Sequence, residues 1–229
     1  TASLSEALVA SLETGSPSLG SFRKIITDSI RPHVGEHGSN QAPAIAVGLV
    51  TQEGDLALGF GTRKAGTLLE VNGSTLFAIG SVSKLFTALI LAKEVVNREL
   101  ALTTQANDLL DGPLQIDERI TLEHLVTHRS GLPNFPDNLR TRDNAPEDRL
   151  EQKLMPAKNY SNTDLAKCLR QEKCRPHAPP GESYRYSNLG IGLLSITLQN
   201  HLGYRDSAEL IRQQITNPLN MDSTCMNTP

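Results

Sequence analysis

The chain of 229 residues carries a formal net charge of −3 and 38% hydrophobic residues, a balance typical of a globular protein. This charge gives no electrostatic basis for binding nucleic acid or an anionic membrane, so neither is expected as a partner. No apolar run reaches the roughly 18 residues that a membrane-spanning helix needs. Residues 1–12 contain Ser5 and Glu6 within their apolar stretch, which does not fit a signal peptide, although the earlier removal of one is compatible with this sequence.

Two helices and a β-hairpin are predicted for the beginning of the chain. Apolar residues recur at helical spacing over residues 4–12 and 22–30, which predicts two amphipathic helices. Apolar runs over residues 43–50 and 56–63 predict two strands. Glu53-Gly54-Asp55 between them is typical of a hairpin turn, so the two strands are expected to pair antiparallel.

The rest of the chain is predicted to be mainly helical. A nearly continuous apolar run over residues 85–92 predicts a buried helix. Its polar stripe is expected to consist of Ser83, Thr87, Glu94 and Asn97. The later predicted elements are a short helix capped by Thr121, a polar loop over 134–161, and helices over 162–173, 189–202 (almost wholly apolar, ending at Gly203) and 206–216.

The first candidate site is Ser81-Val82-Ser83-Lys84, which leads into the apolar helix over 85–92. Residues three apart on a helix share a face, so Ser81 and Lys84 are expected to point the same way. We expect Lys84 to face apolar residues, where the loss of solvation favours a neutral, basic amine. A serine hydroxyl with such a base within reach is an activated nucleophile. Backbone amides at the start of the helix favour negative charge on its oxygen.

A lone Ser-x-x-Lys pattern is more often a helix cap followed by a solvated lysine than a catalytic pair. Ser21 and Lys24 have the same spacing, and no apolar helix follows them. The interpretation of Ser81 and Lys84 as catalytic residues therefore needs a second motif.

Tyr186-Ser187-Asn188 is the second candidate motif, because it follows a stiff loop rich in Pro and Gly and precedes the apolar helix. A tyrosine hydroxyl can relay a proton if a nearby ammonium eases its ionisation. Asn188 offers one acceptor and two donors, which suits an amide substrate or the lysine. Tyr160-Ser161-Asn162 has the same letters in a charged loop, and we favour Tyr186 over Tyr160.

Three cysteines are too few for a disulfide scaffold. Cys168 and Cys174 are close enough in sequence to pair if the compartment is oxidising. No second Cys/His pair stands at ligand spacing, so neither a metal ion nor a cofactor is expected.

Four motifs in a fixed order give the chain its resemblance to a known family. The motifs are Ser81-Val82-Ser83-Lys84, residues 120–133 (ITLEHLVTHRSGLP), residues 180–188 (PGESYRYSN) and Pro218-Leu219-Asn220-Met221. With them the chain resembles the superfamily of serine β-lactamases and penicillin-binding proteins, in the branch of class C β-lactamases, D-alanyl-D-alanine carboxypeptidases and related esterases. The similarity runs from about residue 40 to the end.

The resemblance implies a role for each candidate residue. Ser81 would be the acylated nucleophile, Lys84 its base or proton partner, Tyr186 a second proton relay and Asn188 a residue that positions substrate. The amide of Ser81 would be the first oxyanion-hole donor. The implied substrate is a small molecule or peptide: a β-lactam, a peptidoglycan stem peptide ending in D-Ala-D-Ala, or a small ester. A rival triad using His128 is disfavoured, since the segment of His128 and Ser130 matches a structural loop.

The resemblance also implies an α+β fold of the β-lactamase/transpeptidase type. One lobe, represented by residues 1–100, would be an antiparallel sheet flanked by helices and would include the nucleophile helix. A helical lobe would follow over residues 101–229, with the site between the two. The expected location is periplasmic or secreted.

One family motif is missing from the chain. Family members carry a late Lys or His followed by a small residue and Gly, but no Lys follows Asn188 and the only later His, His201, precedes Leu202-Gly203. We therefore expect the chain to lack the closing strands and the C-terminal helix of the sheet lobe, and the gene product to continue past Pro229 by about 100 residues. This remainder would belong to the same chain or form a separate C-terminal fragment. The alternative is a non-catalytic β-lactamase-like domain that binds a partner or assembles.

Overall fold

The computed structural model describes residues 18–35, 40–64, 66–142 and 160–226. The helix predicted over residues 4–12 and positions 143–159 of the predicted polar loop lie outside the described residues. The chain divides into two compact units, Thr1–Ala78 and Ile79–Pro229.

Most of the predicted elements are confirmed, with ends that differ by a few residues. The elements are α1 (Leu19–Ile30), β1 (Ala44–Thr51), β2 (Gly54–Gly61), α2 (Lys84–Val96), α3 (Leu122–Val126), α4 (Asn162–Leu169), α5 (Asn188–Leu202) and α6 (Ser207–Ile211), the last followed by a π-helical turn over Arg212–Thr216. The helix predicted over 162–173 ends four residues early, and a separate 3-10 turn covers Glu172–Cys174.

The first unit contains an antiparallel hairpin against which α1 packs. Val47 of β1 lies opposite Leu58 of β2, and Thr51 lies opposite Gly54. The turn is therefore Gln52-Glu53, one residue earlier than predicted. Phe22 and Ile26 of α1 form a small core with Leu56 and Leu58 of β2.

The second unit is helical, and α5 is its central element. Eight residues of α5 are buried, among them Leu193, Leu194 and Leu198. They pack with buried side chains from α2, α3 and α6, such as Leu91, Leu125 and Leu210. The apolar sequence of α5 thus corresponds to a helix that is covered on most sides, as predicted.

The prediction for α2 is wrong about which face is covered. Thr87 and Glu94, assigned to the polar stripe, are only 5% and 4% exposed, whereas Leu85 is 67% exposed. Glu94 is accommodated because its Oε2 lies 3.5 Å from His201 Nε2 of α5. A helix with apolar residues nearly all round shows little contrast between its faces, so its sequence does not identify the buried one.

The α2 helix packs with the second unit, which begins at Ile79. The predicted lobe boundary near residue 100 stays a prediction. Cys168 of α4 is disulfide-bonded to Cys174, with a distance of 5.7 Å between their Cα atoms, and Cys225 is free and exposed. In the part of the chain that the structure describes, no helix combines the length and the apolar character that crossing a bilayer requires.

Candidate active site

Ser81 and Lys84 lie where a 3-10 turn over Gly80–Ser83 passes directly into α2. Gly80 enters this turn with a φ of +52°, a left-handed conformation that glycine adopts without steric cost. The Nζ atom of Lys84 lies 3.2 Å from Ser81 Oγ, so the two side chains share one side of the turn as predicted. Ser81 is exposed and Lys84 is half-buried. The hydroxyl is therefore accessible from solvent, and the amine is held against it.

Tyr186 completes a cluster with these two residues across 105 positions of sequence. Its hydroxyl lies 2.6 Å from Ser81 Oγ, and Lys84 Nζ lies 5.0 Å from the centroid of its ring. Hydrogen bonding with Lys84 in the first place, and with Ser81 in the second, lowers the pKa of Tyr186 from its ordinary value of 10.0. Both partners stabilise the phenolate relative to the phenol. The cluster thus favours the phenolate, the form of Tyr186 that can accept a proton, more than bulk water does.

Asn188, the first residue of α5, fixes the other side of Lys84. Lys84 Nζ donates to Asn188 Oδ1 at 2.6 Å. The orientation of this amide is set by Asn134, because Asn188 Nδ2 donates to Asn134 Oδ1 at 2.7 Å. The backbone carbonyl of Asn134 also accepts from Leu189 N at 3.0 Å. Asn134 is a site residue that the sequence reasoning missed, although it follows directly after the Gly131-Leu132-Pro133 part of a quoted motif.

The segment that carries Tyr186 and Asn188 is tied by its backbone to the segment after α3. Gly181 N donates to Arg129 O at 2.8 Å, and Arg185 N donates to His128 O at 2.7 Å. Ser187, which is fully buried, caps α5 by accepting from Gly190 N at 2.8 Å and donates to Pro133 O at 2.7 Å. These contacts explain why two motifs far apart in sequence occur together, since each holds the other in place.

The ring of His128 lies beside the ring of Tyr186. Its ring centroid is 4.6 Å from that of Tyr186, and its Nδ1 accepts from Ser187 N at 3.2 Å. A catalytic triad would need this ring to face Ser81, whose oxygen is instead bonded by Tyr186 and Lys84. The geometry therefore gives the rival triad no support.

The four predicted site residues, Ser81, Lys84, Tyr186 and Asn188, are found together within one hydrogen-bonded cluster, while their catalytic roles stay predictions. Among the described residues, the two look-alike motifs make different contacts. Lys24 forms an ion pair with Asp28, and Tyr160 donates its hydroxyl proton to Asn138. The long apolar helix behind each true motif was the signal that separated them.

His201 lies at the opposite end of α5 from the candidate site. His201 lies on the last turn of α5 beside Glu94 of α2, thirteen residues after Asn188 in the same helix. At 1.5 Å per residue this is about 20 Å from the start of α5, so His201 is not a substitute for the missing motif.

Among the described residues, no group of three or more His, Cys, Asp and Glu side chains is arranged to hold a metal ion.

The chemistry available to this cluster is transfer of a proton from a hydroxyl. Ser81 Oγ has a phenol at 2.6 Å and an amine at 3.2 Å, both within the distance over which positioned groups exchange a proton. The amide of Ser81 belongs to the first turn of the helical segment, where N–H groups lack an intrahelical acceptor. Such an amide is suited to stabilise negative charge on a bound oxygen.

The Beta-lactamase family model matches residues 26–229 of the chain. The chain is 29% identical over 157 residues to a beta-lactamase of Lysobacter lactamgenus, a match that covers 68% of this chain and 36% of the relative. The chain spans between 28% and 40% of the length of the curated relatives that it matches. The matched region includes all four predicted site residues.

Solved structures confirm the predicted α+β fold of the β-lactamase/transpeptidase type. A beta-lactamase/D-alanine carboxypeptidase from Yersinia pestis superposes with a TM-score of 0.71 at 23% identity, covering 93% of this chain and 57% of that one. A D-alanine carboxypeptidase AmpC from Burkholderia cenocepacia superposes with a TM-score of 0.66 at 25% identity, covering 93% and 52%.

Proposed function

Because the chain belongs to the beta-lactamase family, we propose that it is the part of a serine hydrolase that forms an acyl-enzyme on Ser81. The observation that carries this proposal is the 2.6 Å contact between Ser81 Oγ and Tyr186 OH, next to an amine that reaches both Ser81 and Asn188. An exposed hydroxyl bonded to both a phenol and an amine has no evident structural purpose, since helix caps bond to backbone amides instead.

The proposed reaction begins with attack of Ser81 Oγ on a substrate carbonyl. The Tyr186 phenolate, which the Lys84 ammonium stabilises, takes the proton of Ser81, and Tyr186 and Lys84 then pass a proton on to the leaving group. The lowered pKa of Tyr186 supports a role as base, because it raises the fraction of phenolate at neutral pH. Water, activated by the same groups, then releases the acyl group from Ser81.

Asn188 has two tasks in this proposal. Its Oδ1 accepts from Lys84 and keeps the ammonium beside Ser81. Its Nδ2 donates to Asn134 Oδ1 at the start of α5. An amide of the substrate can compete there for the side-chain amides of Asn188 and Asn134. We propose that Asn188 and Asn134 together hold the acyl side of the substrate.

Covalent labelling of the full-length protein tests the nucleophile. A fluorophosphonate or a fluorescent penicillin is expected to label the protein at Ser81, as read by peptide mass spectrometry. Ser81→Ala is expected to abolish labelling. Ser83→Ala is the matched control, because Ser83 lies two residues away and its side chain forms no capping bond. Equal labelling of Ser81→Ala and the control would remove Ser81 from the mechanism.

The substrate class we propose is a β-lactam, a peptide ending in D-Ala-D-Ala or a small ester. The relatives named a beta-lactamase and a D-alanine carboxypeptidase support the first two. Turnover of nitrocefin, a D-Ala-D-Ala peptide and p-nitrophenyl acetate by the full-length protein distinguishes the three. A folded protein that turns over none of them and is not labelled at Ser81 would instead be a non-catalytic binding domain.

We propose that the protein works in a periplasmic or secreted location. The Cys168–Cys174 bond supports this, because disulfides persist in oxidising compartments. Alkylation of the protein under native conditions, without reductant, is expected to modify Cys225 alone, since it is free and exposed. Modification of all three cysteines in protein isolated from its source would contradict the proposal.

A further inference from the structure

His128 adopts an unusual backbone conformation for its residue type. Its φ is +59°, in the left-handed region, at the position that follows the C-cap Thr127 of α3. Glycine normally fills this position at a helix end, because a side chain is disfavoured there. A histidine held in this conformation indicates that its side chain or its direction is needed locally.

Two hydrogen bonds of His128 bracket Tyr186 in the facing segment. The carbonyl of His128 accepts from Arg185 N at 2.7 Å, and its ring Nδ1 accepts from Ser187 N at 3.2 Å. The residues immediately before and after Tyr186 are thus both anchored to His128. Because a backbone N–H is always a donor, Nδ1 must carry no proton, and a neutral ring then carries its proton on Nε2.

The ring of His128 also packs against the side chain of Tyr186. The centroids are 4.6 Å apart with an angle of 39° between the planes, and the ring of Tyr184 packs on His128 in a T-shaped arrangement with centroids 5.9 Å apart and an angle of 86°. The titratable side chains that act on this ring are Lys84 of α2 and the two tyrosines. His128 therefore fixes both the backbone and the ring of Tyr186, while the Ser81 hydroxyl is bonded by Tyr186 and Lys84.

We propose that His128, in its neutral form, is the positioning residue that holds the Tyr186 hydroxyl within hydrogen-bonding distance of Ser81. The proposal rests on the proposed hydrolase function and assigns to His128 a role in positioning that is distinct from a triad base. Protonation of Nδ1 would place two N–H groups face to face at Ser187 and would break the anchor. The Tyr186 hydroxyl would then move away from Ser81, while Ser81 and Lys84 would stay in place.

The surroundings of His128 favour the neutral form that this role requires. Burial, followed by the positive charge of Lys84, lowers the pKa of His128 from its ordinary value of 6.5. The ring is therefore neutral at pH 7. A depressed pKa in the folded state means that the contribution to stability is present above pH 6.5 and is lost as the pH falls through the lower, folded-state pKa.

His128→Asn tests the role with the least disturbance of the backbone, since asparagine tolerates the left-handed conformation. Displacement of Tyr186 is expected to lower the maximal rate of Ser81 acylation by about 10²-fold, because misplacement of a catalytic group by 1 Å has an effect of this size. The reagent concentration at half-maximal rate is expected to change little. His177→Ala is the matched control, because His177 is exposed on the neighbouring loop and contributes a backbone bond to Gly131.

Two measurements do not depend on activity and so separate this proposal from the proposed function. Removal of the His128 ring is expected to move the pKa of Tyr186 up towards 10, as followed by ultraviolet titration. In the unmodified protein, ¹⁵N NMR at pH 7 is expected to show His128 with Nδ1 unprotonated and Nε2 protonated. A proton on Nδ1, or a variant with unchanged acylation rate and Tyr186 titration, would overturn the proposal. Absence of labelling at Ser81 in the unmodified protein, with both measurements as expected, would overturn the hydrolase function alone.

Discussion

The two helices that carry the candidate site look alike in sequence but differ in their surroundings. The α5 helix is covered along most of its length, and Leu193 and Leu198 are fully buried. The α2 helix is buried on one face and exposed on the other, with Leu85 and Leu89 among its exposed residues. An apolar run thus predicts a helix in both cases, but it does not reveal how much of that helix is packed.

The start of α5 is also held by more side-chain bonds than the start of α2. Ser187 caps α5 through its side chain and is tied to Pro133, whereas Ser83 at the start of α2 makes no capping bond. The position of Lys84 relative to α5 is fixed instead by its bond to Asn188. The start of α5 is therefore held in place by its own cap, and the start of α2 is linked to α5 through the bond between Lys84 and Asn188.

The largest expected effect comes from removing that link. Lys84→Gln removes the ammonium that contacts both Ser81 and Asn188, and we expect the rate of Ser81 acylation to fall by about 10²- to 10⁴-fold, the range for a positioned acid–base group. The measurement is the second-order rate constant with a fluorescent penicillin or a fluorophosphonate.

Lys93→Gln is the control on the same helix. Lys93 lies at the far end of α2, is exposed, and donates to Gln214 Oε1 at 2.6 Å. We expect the acylation rate of this variant to equal that of the unmodified protein. If both lysine variants lost the rate equally, the general state of α2 would control the site, and the specific link through Lys84 would be refuted.

The next largest effect is a difference in stability between a leucine removed from α5 and one removed from α2. Leu198→Ala in α5 removes a side chain that is 0% exposed and should lower the free energy of unfolding by about 2–5 kcal/mol. Leu89→Ala in α2 removes one that is 53% exposed and should change it by less than about 0.5 kcal/mol. Chemical denaturation of the two variants measures the difference. Equal losses would mean that the exposed face of α2 is covered by another surface in solution.

Sequence reasoning identified the helices, the hairpin and the four clustered residues, because periodicity and motif order are local properties. It placed Thr87 and Glu94 in a solvent-facing stripe because polarity was the only guide to orientation. Burial of Glu94 depends on His201, a residue more than 100 positions away, which no local pattern links to it. Asn134 was missed for the same reason, since its role becomes visible only when α5 is brought beside it.

A smaller effect is expected at the starts of the helices. Ser187→Ala removes a buried cap that bonds Gly190 N and Pro133 O, and it should lower the free energy of unfolding by about 1–2 kcal/mol. Ser83→Ala has no capping bond to lose and should leave stability unchanged. Denaturation curves give the two values. A loss at Ser83 as large as that at Ser187 would contradict the view that α5 alone is fixed by its cap.

The smallest effect is a change in a titration, and it reports directly on the contact between the helices. The Lys84 ammonium is the first cause, and the Ser81 hydroxyl the second, of the lowered pKa of Tyr186. Lys84→Gln should therefore move this pKa up towards 10.0, so that at a given alkaline pH less phenolate is present than in the unmodified protein. Ultraviolet difference titration measures this, with Tyr186→Phe identifying the signal and Lys93→Gln as the control. An unchanged titration in Lys84→Gln would show that the charge of α2 does not reach the phenol of the α5 segment. Catalysis by Tyr186 would then need another source of activation.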